Sequence, residues 1–179
     1  MCFQTDSAKG KVGTKKFVAP VLKKLFGGEV VQTENRLNRF EQSLDCDHSI
    51  DGLVFSPNGL LPFAARYQSV NYETFGIRFS RPTGAETEYN KIVKALETNS
   101  AMRPFLHAQG YADGDGGAVV AVVRTKDLFS FIKQHRNKTK IIPQADKTEI
   151  LAVFWRDLKQ AGVKFKKFLV SEDGDVKQI

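Results

Sequence analysis

The residues whose types and spacing bear most on chemistry are Asp51, Arg66 and Gln68, carried by the runs Ile50-Asp51-Gly52-Leu53-Val54-Phe55 and Leu60 to Gln68. Between the runs stands Ser56-Pro57-Asn58-Gly59. Pro fixes one φ, and Asn and Gly tolerate positive φ, so the segment predicts a β-hairpin. With Pro57 and Asn58 as the turn residues, Ser56 pairs with Gly59 and Asp51 falls opposite Ala64. Arg66 is then the diagonal neighbour of Asp51 on the same face, about 7–8 Å away. Gln68 continues along that face, because strand side chains alternate with period two. A carboxylate in such a cluster suits a divalent cation, a guanidinium suits phosphate, and an amide can orient water. The plainer reading is a strand end in water with a surface salt bridge.

Other candidate chemistry is thinner. Asp45-Cys46-Asp47-His48 offers metal-binding side chains, but one Cys and one His lack partners at zinc spacing. Asp113-Gly114-Asp115-Gly116-Gly117 lacks the later Glu of a calcium loop and reads as a hairpin turn. His107, on a strand, reads as a structural histidine. No Walker loop, dinucleotide fingerprint or serine-nucleophile elbow is present.

The elements that must position Asp51 and its companions follow from pattern. Residues 1–12 read as a flexible N-terminal arm, and residues 13–179 as a single α/β domain. Thr14 is placed to cap a helix with Phe17, Val18, Val21, Leu22, Leu25 and Phe26 on one face, ended by Gly27-Gly28. Pro20 lies inside it, so the helix either kinks there or begins later. A strand is expected at 29–33, and a loop or short helical turn at 34–49. A third strand, Tyr72 to Ser80, follows the hairpin. Thr83 and Glu86 have capping-box spacing for a helix reaching about Thr98, with Tyr89, Ile92, Val93 and Leu96 on one face. Strands are expected at 104–111 and 118–123, and a helix from Thr125. Residues 136–148 read as loop. The run 149–155 fits strand or helix, 155–161 a helix, 163–170 a strand, and the last residues a polar tail. This order predicts a mixed central β-sheet flanked by helices.

Lys and Arg number 27 against 20 Asp and Glu, a net charge of +7, which favours a polyanionic partner. Basic residues cluster at Lys15 and Lys16, at Lys23 and Lys24, and at Lys138 and Lys140; with Arg66 these are the candidate nucleic-acid contacts. Cys2 and Cys46 make no disulfide framework, the N-terminus lacks a signal-peptide core, and no apolar run would span a bilayer. The expectation is a cytoplasmic protein in a reducing compartment, with no membrane association.

From Thr14 to about Gln109 the chain resembles the PD-(D/E)XK nuclease superfamily, whose core is a helix, a strand, a hairpin with Asp and acid-x-Lys, a further strand, a helix and a strand. The resemblance implies a restriction-endonuclease-like core and metal-dependent phosphodiester cleavage, with Mg²⁺ as cofactor and Mn²⁺ as substitute. Asp51 matches the family aspartate and would ligate the metal. Gln68 falls where the Lys would sit, and Arg66 where the acid would sit. Arg66 cannot ligate magnesium, so a second acid must come from elsewhere: Glu34 or Glu41, or else Asp45 or Glu73. The resemblance therefore implies a nuclease acting on nucleic acid, DNA first. Its alternative is a non-catalytic domain on the same fold, gripping DNA or a protein partner, including a second copy.

Overall fold

The computed structural model describes residues 10–33 and 39–179, the side chain of Glu41 excepted. The hairpin forms as its turn residues require. Strands β2 (Gly52–Ser56) and β3 (Gly59–Gln68) pair in the register Ser56 with Gly59 through Gly52 with Phe63. The Ser56 hydroxyl donates to the Gly59 carbonyl at 2.8 Å and accepts the Asn58 N–H at 3.2 Å, closing the turn.

Around this hairpin a seven-stranded mixed sheet is laid in the order β1-β2-β3-β5-β6-β9-β10. Here β1 is Glu29–Gln32, β5 Leu106–Ala112, β6 Ala118–Arg124, β9 Phe165–Val170 and β10 Val176–Gln178. Every pairing is antiparallel except β3 with β5, which run parallel with Arg66 beside Gln109. A parallel pair needs a crossover, and residues 69–105 supply it. That crossover holds strand β4 (Thr74–Ser80) and helix α3 (Glu88–Glu97).

The strand that follows the hairpin, β4, does not join the central sheet. It pairs instead with β8 (Glu149–Phe154), which pairs with β7 (Thr139–Pro143), making a second, three-stranded sheet. The departure is prepared just before β4, where Glu73 adopts φ +49 and its N–H is taken by the Asn71 side chain. Strand β7 also corrects the loop expected over 136–148. As an edge strand that is half exposed, it carries no continuous apolar run to announce it.

One face of the central sheet is covered by the N-terminal helical run. Phe17, Val18, Val21 and Leu22 pack there on Val54, Phe63, Leu106, Ala108 and Val120. The run has a π-helical stretch, Thr14–Val18, continuing into α1 (Ala19–Phe26). Thr14 is not its cap: it is buried within the run, and its carbonyl accepts the Ala19 N–H across the widened turn. Pro20, with no N–H to give, sits in the first turn of α1, where that loss is tolerated. On the opposite face, Phe75 and Ile77 of β4, Leu151 and Val153 of β8, and Leu128 and Ile132 of α4 (Thr125–Gln134) form a second core. It is completed by Tyr111, Val123 and Trp155, the last of which opens α5 (Trp155–Gln160).

Three boundaries differ from the sequence pattern. Residues 39–48 form helix α2 (Arg39–His48), polar enough that Leu44 alone, with Ile50 and Leu53, anchors it. Helix α3 starts at Glu88, because Thr87 accepts the Asn90 N–H; Thr83 caps only a turn at Ala85. The polar tail yields the short strand β10. No helix among the described residues is long and apolar enough to cross a membrane.

Gly28 joins α1 to β1 at φ +84, and a Cβ there would run into the Phe55 carbonyl. Gly28→Ala is expected to lower unfolding stability by about 1–3 kcal/mol from backbone strain alone. Urea denaturation checks this; an unchanged midpoint would contradict the placement of β1 against the hairpin.

Candidate functional site: a buried carboxylate paired with Arg66

Alternation along β3 sends Phe63, Ala65 and Tyr67 toward α1, and Ala64, Arg66 and Gln68 to the other face. Because β5 runs parallel in register, His107, Gln109 and Tyr111 share that second face with Arg66. Asp51 lies one step beyond the Gly52–Phe63 pair, opposite Ala64. Its carboxylate accepts the Ala65 N–H at 2.8 Å, and its own N–H donates to the Phe63 carbonyl at 2.9 Å. Asp51 and Arg66 converge at the open end of the hairpin, where the Asp51 charge acts on Arg66; Gln68 turns instead to Gln109.

The group at the centre of this convergence is Glu88, in the first turn of α3. Its Oε2 accepts Arg66 Nη2 at 2.5 Å and the backbone N–H of Arg78 at 3.1 Å. Its Oε1 lies 3.3 Å from His107 Nε2, while His107 Nδ1 lies 2.9 Å from the Thr125 hydroxyl. A carboxylate can only accept, so Nε2 carries a proton and donates it to Glu88. Glu88 is buried and Arg66 about a quarter exposed, with a side-chain exposure of 27%. Gln109 extends the network: its Oε1 accepts the Gly76 N–H at 3.3 Å, and its Nε2 donates to Gln68 Oε1 at 3.4 Å. Next to it, the Tyr111 hydroxyl donates to the Thr74 carbonyl at 2.9 Å. Side chains of the central sheet and α3 thus meet the backbone of β4 along its outer edge. The hollow they enclose holds about 10 Å³, room for about one water.

Electrostatics follow burial. Desolvation alone would raise the Glu88 carboxyl, but Arg66, His107 and the Arg78 N–H outweigh it and hold the group far below the usual carboxylate range. Burial would likewise lower Arg66, and Glu88 more than restores it. Arg78 is compensated only in part: burial, then Arg66 and Arg81, outweigh the attraction of Glu88 and Asp51 and pull it down to about 10.

The other residues singled out by sequence are dispersed. Glu34 lies outside the described residues, as does the side chain of Glu41. Glu73 pairs with Lys167 of β9 at 3.3 Å, three strands away from β3. Lys15, Lys16, Lys23 and Lys24 lie on the helical run that covers the opposite face of the sheet. Two of them are engaged with the C-terminal segment, Lys16 with Glu172 at 3.5 Å and Lys24 with the Val176 carbonyl. Lys140 is on β7, and Lys138 is in the turn before it.

A divalent cation does not fit the described side chains. Glu88 spends both oxygens on cationic or N–H donors, and Asp51 already serves Ala65. Among the described residues no group of three His, Cys, Asp or Glu side chains is placed to hold a metal ion. What the geometry offers is guanidinium chemistry: Arg66 paired with one fully engaged acid, and Arg78 bonded to the same acid through its backbone N–H. Glu88 and Arg78 escaped the sequence reading. The available signal was a charged residue four before Ile92, on the buried stripe of an amphipathic helix. Comparison with protein-family models, with curated proteins and with solved structures finds no match to this chain.

Glu88→Gln leaves a buried guanidinium without its countercharge and is expected to cost about 3 kcal/mol, the lower end of the range because Arg66 is partly solvated. Glu88 titrates lower folded than unfolded, so its contribution is complete above the unfolded carboxylate pKa of about 4.3 and declines as pH falls below it. Thermal unfolding of both proteins from pH 7 to pH 3 checks this. The stability gap should narrow on the acid side; parallel curves would contradict the assignment.

Proposed function

We propose that this chain is a nucleic-acid-binding domain on a restriction-endonuclease-like core whose catalytic acid position has been given over to structure. The element order supports the core: a helix, strand β1, the β2–β3 hairpin, a crossover through α3, and β5 parallel to β3. Asp51 occupies the start of β2, where the resemblance expects its aspartate. Opposite Asp51 stands Ala64, with Arg66 following on the same face, so the neighbouring strand supplies no carboxylate. The acid that reaches this space is Glu88, and its pairing with Arg66 at 2.5 Å is the observation that carries the reading. A cation already sits where a metal would be needed.

The same arrangement suits phosphate. Guanidinium groups bind phosphate oxygens in paired, charge-assisted hydrogen bonds, and the net charge of +7 draws polyanions to the surface. A hollow of about 10 Å³ cannot admit a base, which favours backbone contact over base reading. The catalytic reading keeps one support, the Asp51 carboxylate at the open end of the hairpin. It would require a further acid, such as Glu34 or Glu41, and a bound Mg²⁺.

The test incubates the protein with plasmid and with single-stranded DNA, in Mg²⁺, in Mn²⁺ and in EDTA, alongside Asp51→Ala. The expected result is retardation that weakens linearly with log salt concentration, no cleavage, and binding retained in Asp51→Ala. No retardation at low salt would remove the nucleic-acid reading. Divalent-dependent cleavage abolished by Asp51→Ala would establish the nuclease instead.

A further inference from the structure

We infer that Arg78 is a phosphate seat, and that with Lys140 it sets a sequence-independent path for a nucleic-acid backbone across the face of the three-stranded sheet that carries Arg78, Ile150 and Ile142. The inference rests on the nucleic-acid reading above and names the residues that would carry it out.

The position of Arg78 follows from alternation on β4. Phe75 and Ile77 enter the second core, so Thr74, Gly76 and Arg78 face the other way. The register places Arg78 beside Ile150 and Ile142, and Gly76 beside Ala152 and Lys140. Arg78 and Lys140 therefore share a face, two strands and one diagonal step apart, on the order of 10 Å. At the β4 edge this face adjoins Arg66, because a single Glu88 oxygen accepts both Arg66 Nη2 and the Arg78 N–H.

Charge balance supplies the second argument. Glu88 is committed to Arg66, and no carboxylate among the described residues pairs with the Arg78 guanidinium. Glu88, Asp51 and Asp146 act on Arg78 through space, but burial, Arg66 and Arg81 outweigh them and leave this half-buried cation incompletely compensated. A phosphate there would receive Arg78 on one side and Arg66 or Arg81 on another. The only structural bond that Arg78 gives Glu88 is through its backbone N–H, so its side chain can be changed without breaking the Glu88 network.

That separation makes the inference testable. Fluorescence anisotropy with a labelled single-stranded oligonucleotide compares wild type, Arg78→Gln, Arg78→Lys and Lys140→Gln, and thermal unfolding follows each with and without inorganic phosphate. Arg78→Gln is expected to bind the oligonucleotide about tenfold more weakly, with a salt slope smaller by about one. Its unliganded Tm should equal or exceed that of wild type, and phosphate should raise the Tm of wild type alone. Arg78→Lys should keep the salt slope and lose part of the affinity, since an ammonium lacks the fork. Lys140→Gln should flatten the slope without lowering Tm. If wild type binds DNA and Arg78→Gln binds it equally, the seat fails while the nucleic-acid reading stands. If no DNA binds but phosphate still raises Tm through Arg78, the reading fails and the seat remains, for a free anion. An unliganded Arg78→Gln melting several degrees below wild type would make the residue structural and overturn the inference.

Discussion

One buried carboxylate joins the two sheets of this protein. Glu88 takes a guanidinium from β3, a backbone N–H from β4 and an imidazole N–H from β5. A lone carboxylate in such a place would be expensive to desolvate, so each donor is a condition of its burial. The same bonds solve a second problem. β4 presents one edge to no other strand, and edge N–H and C=O groups must find partners when they are covered. Glu88, Gln109 and Tyr111 reach that edge from α3 and the central sheet. The second sheet is docked through these side chains and through the core beneath it, in place of strand pairing.

This constraint shapes what the site can do. The space beside Asp51 is filled by protein: Arg66 provides the positive charge and Glu88 the negative one. The arrangement is neutral at that point and leaves its surplus charge on Arg78 and Arg81, toward the small sheet. Basic groups on the N-terminal helical run lie behind the central sheet, two of them tied to the C-terminal segment. The lysine clusters that stand out in the sequence are thus split between two faces, and Arg66 and Arg78, joined through Glu88, are the coherent group.

The hairpin and its register were legible because turn chemistry and period-two alternation are local, and Pro57-Asn58 determine both. Helix α4 and strands β5, β6 and β9 were legible for similarly local reasons: Leu128, Phe129 and Ile132 mark one face of α4, and turn or polar residues bound each strand. The path of β4 was not, since nothing in Phe75-Gly76-Ile77-Arg78-Phe79 says which sheet it joins. Its choice depends on β8, whose own run, Ile150 to Val153, is short enough to suit either helix or strand. At the site, Asp51, Arg66 and Gln68 came from strand geometry. Glu88 did not, because its partner is set by a crossover that brings α3 back over β3, a non-local consequence of making β5 parallel. His107 illustrates the boundary: its structural role was readable from its strand, but its partners Glu88 and Thr125 were not.

The central claim is that Glu88 and Arg66 act as a pair that fastens the sheets. A double-mutant cycle of Glu88→Gln and Arg66→Met, followed by urea unfolding at pH 7, measures it most directly. The account predicts that the double variant is more stable than the sum of the two single losses implies, with a coupling of about 1–3 kcal/mol. Additive losses, with no coupling, would show that the two side chains do not depend on each other and would contradict it.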